Sequence, residues 1–297
     1  LALRLLRILY LQDSGGSGLP PGVINMLPAD DGAAVGGPAL ASEHFAGLHF
    51  TGSKATFDHL WTEIGNNLDT YRTYPTIVGE TGGKDFIVAH PSAQVDQVAT
   101  AVVRGAYEYQ GQKCSAASRL YMPASIWPDI RDEITAQLDD ISVGPPEDFR
   151  NFLNAVIDQR AFDTVTDYIE HVREADNAEI LHGGTYDDST GYFIAPTLVR
   201  AHTHDEKTLQ EEIFGPITTV YVYPDDAFAE TLSQADQTSP YGLTGSIFAR
   251  DRNAIRTASD VLEHAAGNFY INDKPTGAVV GQQPFGGARR SGTNDKA

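Results

Sequence analysis

The chain has 297 residues, 41% of them hydrophobic and 21% charged, which is the makeup of an ordinary folded protein of one large or two ordinary domains. A formal charge of −19 argues against nucleic-acid binding, which needs a basic footprint. A single cysteine permits no internal disulfide and fits a reducing compartment, and the longest apolar run falls far short of a membrane span.

Leu1 to Leu11 is apolar with two arginines, but it has no small-residue cleavage site and no initiator Met. It is therefore read as a core helix, with Leu1, Leu5, Ile8 and Leu9 on one face, rather than as a signal peptide. Gln12 to Pro21 is a Gly/Ser/Pro-rich loop that ends it. Val23 to Leu27 reads as a short strand and Ala46 to Phe50 as another. Thr51-Gly52-Ser53 then turns into a helix that runs to about Asn66. From Phe86 onward strands and helices alternate. Helices are expected near 96–110, 125–140, 161–174, 226–236 and 251–265, and strands near 85–89, 118–122, 217–223, 244–249 and 267–272. Asn177 to Gly191 is polar and glycine-rich and reads as a loop. Alternation of this kind predicts an α/β fold with a largely parallel sheet.

The chemistry centres on Gly111-Gln112-Lys113-Cys114-Ser115. Val98, Ala101, Val102, Gly105 and Tyr109 recur at helical spacing before it and Ser118 to Met122 reads as a strand after it, so Cys114 sits in a short polar connection. Upstream lies Glu80, set in Gly79-Glu80-Thr81-Gly82-Gly83-Lys84. A thiol and a carboxylate suit a nucleophile and a base, although a lone cysteine is more often an inert core residue. Lys113 would favour thiolate if its side chain faced the sulfur. Gly52 and Ser53 at a strand–turn–helix junction suit a phosphate, and Ser53 also suits a plain N-cap. No Gly-x-Gly-x-x-Gly is present. His202 and His204 beside Asp205 and Glu206 lack a further ligand at a favoured spacing, so no metal site is expected.

Five blocks occur in order: Phe50-Thr51-Gly52-Ser53, Glu80 to Lys84, Gly111 to Cys114, Glu211 to Pro216, and Pro284 to Gly287. Together they resemble the NAD(P)-dependent aldehyde dehydrogenase superfamily. Gly267 to Lys274, Gly281 to Gly287 and Ser291 to Lys296 narrow the resemblance to its glutamate-semialdehyde dehydrogenases. The resemblance implies the aldehyde dehydrogenase fold, truncated at both ends. Residues 1–82 would be the latter part of a Rossmann-like NAD-binding domain, 83–282 an α/β catalytic domain, and 283–297 a segment returning toward the first.

The resemblance also implies roles. Cys114 attacks the aldehyde, the thiohemiacetal gives up hydride to a nicotinamide, and Glu80 activates water against the resulting thioester. The Cys114 amide would supply one oxyanion donor. Gly52 and Ser53 would cradle the pyrophosphate of NAD, with Lys54, Ala55 and Thr56 lining it and Thr81 close by. Glu212 would grip the nicotinamide ribose and Phe214 would pack beside it. Ser115, Gly277 and Ala278 would hold the substrate carboxylate, Ala278 standing where the family has serine, and Phe285 would wall the aliphatic part. The partner is then a small molecule, glutamate semialdehyde, with no nucleic acid and no membrane. The full-length protein would be a homo-oligomer of the cytoplasm, or of the mitochondrial matrix in a eukaryote. Two other readings are a non-catalytic fragment of such an enzyme and a cysteine hydrolase with a histidine base.

Overall fold

A computed structural model describes residues 22–279 and 281–294. The helix expected at Leu1–Leu11, the loop at Gln12–Pro21 and the last residues of the Ser291–Lys296 block lie outside the described residues. The chain divides into two compact units, one made of the residues up to Gly47 together with Leu60–Thr76, the other of Leu48–His59 and everything from Ile77.

In the first unit, Val23 to Leu27 is not a strand. Val23, Met26 and Leu27 are exposed, and no described segment pairs with them. β-branched residues make a strand only where another strand pairs with them, and no described strand pairs with this stretch. The first described element is instead a helix, α1 (Gly32–Leu40), capped by the Asp31 carboxylate, which accepts from Ala33 N at 2.9 Å. Tyr71 donates to the Leu40 carbonyl at 2.7 Å and stacks obliquely on Phe45.

Two strands, β1 (Gly47–Thr51) and β2 (Thr76–Glu80), form a two-stranded sheet, and α2 (Lys54–Asn66) follows the turn after β1. The β2 strand was not expected. In the second unit, Gly79 on β2 faces the Phe57 ring, to which a Cβ would approach within 2.2 Å, so only glycine lets these elements close.

The body of the second unit is a seven-stranded sheet. Its strands are β3 (Asp85–Ala89), β4 (Ala117–Pro123), β5 (Ala178–His182), β8 (Thr197–Ala201), β9 (Ile217–Tyr223), β11 (Thr244–Phe248) and β12 (Asn268–Ile271), with order β12-β11-β3-β4-β9-β8-β5. Every neighbouring pair is parallel except β5 on β8. The expectation of a largely parallel α/β sheet holds. Both faces are buried, as a parallel sheet requires. Alternation along β3 sends Ile87 and Ala89 to one core with α3 (Val95–Tyr107) and α4 (Trp127–Asp139), and Phe86 and Val88 to the other with α7 (Phe228–Gln237) and α8 (Arg252–Val261). A third cluster packs α5 (Gln159–Glu174) against β5 and β8 through Val165, Ile169, Val172 and Val199.

The expected loop Asn177–Gly191 is corrected. It contains β5 and a two-residue strand, β6 (Tyr186–Asp187), which pairs with β7 (Phe193–Ile194). β5 is an edge strand with a register slip at Ile180/His182, so its polar residues face outward and hide its pattern. The helix expected to reach residue 110 stops at Tyr107, and a 3-10 turn, Glu108–Gly111, takes over.

The tail returns to β2. After β13 (Ala288–Arg289), which pairs with β10 (Tyr241–Gly242), Gly292 bridges to Glu80, Thr81 N donates to Ser291 O at 2.8 Å, and Thr293 N donates to Gly79 O at 3.0 Å. These bonds set the strand end that carries Glu80.

Candidate active site

Cys114 enters its position through three consecutive left-handed residues, Tyr109, Gln110 and Gly111, with φ of 55°, 57° and 65°. For non-glycine residues this conformation costs about 1–2 kcal/mol each, so the surroundings must enforce it. Gln110 donates from Nε2 to Ala155 O at 3.0 Å, and Gln112 Oε1 accepts from Ile157 N at 2.9 Å. At Gly111 glycine is required twice over: its φ is positive, and a Cβ would stand 2.3 Å from Gly215 O. Ala116 N donates to Lys113 O at 3.1 Å and closes the turn around Cys114.

The half-buried thiol opens onto a cleft of about 810 Å³. Thr51, Gly52, Ser53, Thr56, Thr81, Ser115, Glu212 and Phe214 line it with Cys114. The structure therefore brings together most of the residues expected around the sulfur. Lys54, Ala55, Gly277, Ala278 and Phe285 are not on that lining. Lys54 instead pairs with Asp58 one turn along α2. Gly277 is close to Asp273 and Tyr270. Glu80 does not line the cleft either. It is buried, its carboxylate accepting from Gly287 N at 3.1–3.2 Å.

Burial pushes the Cys114 thiol up to about 11, and the nearby carboxylates of Asp85, Glu212 and Glu80 act in the same direction. The resting nucleophile is thus a thiol. Lys113 does not counter this, because its ammonium is held by Glu108 at 2.9 Å, beside Arg104.

On the opposite wall, Ser53 Oγ accepts from Thr56 N at 3.2 Å and caps α2. Gly52 N donates to Glu80 O at 3.1 Å, and Gly52, Ser53 and Thr56 at the start of α2 line the cleft. Glu212 Oε1 accepts from Gly83 N at 2.9 Å, and burial raises its carboxyl. A Cβ on Gly82 would stand 2.2 Å from Glu212 Oε2. Phe214 is half exposed and left-handed at φ 59°. A helix N-terminus, a serine, an acid able to accept from hydroxyls and an aromatic face form a donor set that fits a dinucleotide.

Several site residues were not foreseen. Asp158, Arg160, Ala161 and Thr164 of α5 also line the cleft, and Asp158 caps that helix by accepting from Ala161 N at 2.8 Å. The Asp-Gln-Arg-Ala start of a helix was the available signal. Beneath the cleft, Lys84 and Asp85 are fully buried, and Lys84 Nζ and Asp85 Oδ2 have no hydrogen-bond partner. Burial lowers the Lys84 ammonium to about 7 and raises the Asp85 carboxyl to about 7.

Among the described residues no histidine lines the cleft. His204 packs its ring on Tyr221 at 3.8 Å between centroids, His202 lies 3.8 Å from Glu179, and Glu206 caps the short helix α6 (Lys207–Gln210). No helix among the described residues is long and apolar enough to cross a membrane.

The profile described as "Aldehyde dehydrogenase family" matches residues 3–297. A Bos taurus protein named delta-1-pyrroline-5-carboxylate dehydrogenase, mitochondrial, is 52% identical over 281 residues, covering 94% of this chain and 50% of that protein. A Dictyostelium discoideum protein of the same name is 52% identical over 283 residues, covering 95% and 50%. The chain thus spans about half the length of the curated relatives it matches. Among solved structures, the delta-pyrroline-5-carboxylate dehydrogenase of Mycobacterium tuberculosis superimposes with a TM-score of 0.88 at 52% identity, over 94% of this chain and 51% of that one, and has also been crystallised with NAD bound.

Proposed function

The chain belongs to the aldehyde dehydrogenase family, and from that premise we propose that it carries the nucleophile, base and part of the cofactor wall of an enzyme that oxidises L-glutamate γ-semialdehyde to L-glutamate with NAD. The observation that carries this reading is the placement of Cys114 on the cleft that Ser53, Glu212 and Phe214 also line, with Glu80 buried. The open aldehyde is in equilibrium with 1-pyrroline-5-carboxylate, the compound in the relatives' name.

The chemistry follows from these residues. An aldehyde carbon releases hydride only once it is tetrahedral. Cys114 Sγ makes it so, passing its proton to a base and leaving an oxyanion. Ser53 and the α2 N-terminus would hold the pyrophosphate of NAD, Glu212 the ribose next to the nicotinamide, and Phe214 the ring edge. NAD, when bound, supplies the hydride acceptor. Collapse of the oxyanion leaves a thioester on Cys114, and thiolate is a competent leaving group when water attacks. Glu80 is the base for that water. Its carboxylate is held by Gly287 N, and the tail bonds to Gly79 and Thr81 fix the strand end that carries it. A base is needed because the thiol is raised rather than lowered.

Ser115 supports the carboxylate-binding reading by its place on the cleft. The roles of Gly277, Ala278, Phe285, Lys54 and Ala55 rest on the family resemblance. The division into 1–82, 83–282 and 283–297 is supported by the seven-stranded sheet, which starts at Asp85 and ends at Ile271, and by the tail's return to Gly79–Thr81. Homo-oligomerisation of the full-length protein is part of the same proposal. So is a location in the cytoplasm, or in the mitochondrial matrix of a eukaryote; the Bos taurus relative's name, which says mitochondrial, supports only a mitochondrial placing.

The test is NADH formation from glutamate semialdehyde by the protein carrying this chain, together with its Cys114→Ser variant. NADH formation that the variant loses supports the reading. Turnover that survives in the variant overturns it.

A further inference from the structure

Asp85 opens β3 directly beneath the nucleophile turn, and the mechanism above does not use it. Its side chain is buried, 2% exposed. One oxygen is satisfied: Oδ1 accepts from Thr244 N at 2.6 Å, across to β11. The other, Oδ2, is buried without a hydrogen-bond partner. A buried carboxylate oxygen in that state is costly.

Gly83 locates where Oδ2 points. The position a Gly83 Cβ would take is 2.5 Å from Asp85 Oδ2 and 2.0 Å from the carbonyl oxygen of Cys114. Two oxygens thus converge on one point. As carboxylate and carbonyl they are both acceptors and repel, but a proton on Oδ2 makes one of them a donor. The β3–β4 register also slips at Asp85/Phe86, the kind of local irregularity that re-aims a side chain at a site.

We propose that Asp85 is a positioning residue that works as a neutral carboxylic acid, its Oδ2 hydroxyl donating to the Cys114 backbone carbonyl and holding the nucleophile turn in place. The charges around it allow this. From its own strand end comes Lys84, from β4 Arg119, and from the segment after α6 Glu212; Thr244 on β11 is a neutral donor. Arg119 makes no ion pair with Asp85; its donors go to Lys84 O at 2.7 Å, Ala235 O at 2.9 Å and Tyr121 Oη at 3.4 Å. Burial is the largest influence on the carboxyl and favours its neutral form, with Thr244 and Arg119 opposing. When the proton leaves, a negative charge forms beside the Cys114 peptide, loosening the turn and opposing the thiolate.

The proposal rests on Cys114 being the nucleophile only for its catalytic consequence. Its test does not, because Cys114 is the chain's one thiol and alkylation reports on it without turnover. The rate of modification by iodoacetamide is measured from pH 5.5 to pH 9 in the wild type and in Asp85→Asn. The amide keeps the acceptor for Thr244 and donates to Cys114 at every pH, so it copies the protonated acid. The two profiles are expected to coincide at the acid end and to part above neutrality, with Asp85→Asn faster by roughly fivefold or more at pH 9. Profiles that coincide throughout overturn the proposal, since Asp85 then does not act on the thiol. A constant offset at all pH overturns it too, since Asp85 is then ionised throughout. Should Asp85→Asn fail to fold, carbon-13 NMR of aspartate carboxyls in the wild type decides. One carboxyl titrating near 7 supports the proposal, and none titrating above the ordinary aspartate range overturns it.

Discussion

Glu212 Oε1 accepts a 2.9 Å hydrogen bond from the backbone N–H of Gly83, a partner 129 residues away in sequence. This bond joins the glycine turn after Glu80 to the segment before Phe214, both on the cleft that Cys114 lines. It also explains why two glycines stand together. A Cβ at Gly82 would strike Glu212 Oε2, and one at Gly83 would strike Cys114 O. The two alanine variants should therefore fail differently. Gly82→Ala is expected to weaken NAD binding by about tenfold or more while leaving Cys114 alkylation within about twofold, because a displaced carboxylate loses a charge-assisted bond worth about 1.5–3 kcal/mol. Gly83→Ala is expected to change alkylation and to lower the melting temperature. Calorimetric titration of NAD alongside alkylation rates checks both; equal effects on both readouts in both variants would show that the pair acts only through folding.

Cys114 and Glu80 should separate the two halves of the reaction. Cys114→Ser is expected to abolish NADH formation, since an alkoxide is both harder to form and a poorer leaving group, while NAD affinity stays within about twofold. Glu80→Gln is expected to give a burst of NADH close to one equivalent and then to stall, with steady turnover down by about 10²–10⁴-fold. Stopped-flow fluorescence resolves the burst. Parental steady turnover in Glu80→Gln would make Glu80 a structural acid held by Gly287.

Lys84 is fully buried with no partner for its ammonium, and burial lowers it to about 7. The sign of its effect on stability follows. The unfolded lysine keeps its proton up to its ordinary value of 10.5, whereas the folded one sheds it near 7. Between these limits the unfolded state binds more protons, so stability rises with pH across that window. The cost of burying Lys84 is thus full below pH 7 and fades toward pH 10.5. Lys84→Met, close in shape and without the charge, is expected to raise stability most at pH 6 to 7 and least above pH 10. Urea denaturation across the range tests this; a loss of stability at pH 7 would mean that the amine has a partner when folded.

The sequence made much of this legible and concealed the rest for physical reasons. Ile217 to Tyr223 has the bounds expected of it, because Ile-Thr-Thr-Val-Tyr-Val-Tyr is β-branched or aromatic at every position and is buried along most of its length. α1 was missed because Gly-Ala-Ala-Val-Gly-Gly-Pro-Ala-Leu holds three glycines and an internal Pro38, and its cap at Asp31 is a weak local cue. β2 was missed because Thr-Ile-Val-Gly-Glu looks like the approach to a turn until β1 pairs with it. In the site, Cys114, Ser53, Glu212 and Phe214 stand in ordered blocks, and the fold gathers them on one cleft. Lys84 closes one of those blocks and Asp85 opens the strand expected at 85–89. Nothing in the sequence marks the two charges as buried; that follows from the pairing of β3 with β4 and β11.

Glu108 offers the last test, because it holds the one lysine adjacent to the nucleophile. Its carboxylate bridges Lys113 at 2.9 Å and Arg104 at 2.6 Å. Burial raises the Glu108 carboxyl, but Lys113 and Arg104 outweigh it and hold the group below its ordinary value. A depressed carboxyl contributes stability that is present above its unfolded value and lost as pH falls through the folded one. Lys113 lines the cleft, yet its charge is turned from the sulfur, and the thiol stays high. Glu108→Gln removes the anchor and keeps the size. The freed ammonium can then swing toward Cys114 and favour thiolate, as a neighbouring cation does. Alkylation at pH 8 is expected to quicken by roughly three- to tenfold at low salt, and the gain is expected to shrink at 1 M salt, where the screening length falls to about 3 Å. Glu108→Gln with Lys113→Met should return to the parental rate. A rate unchanged in Glu108→Gln at low salt would show that the backbone of the left-handed turn, rather than Glu108, keeps Lys113 away.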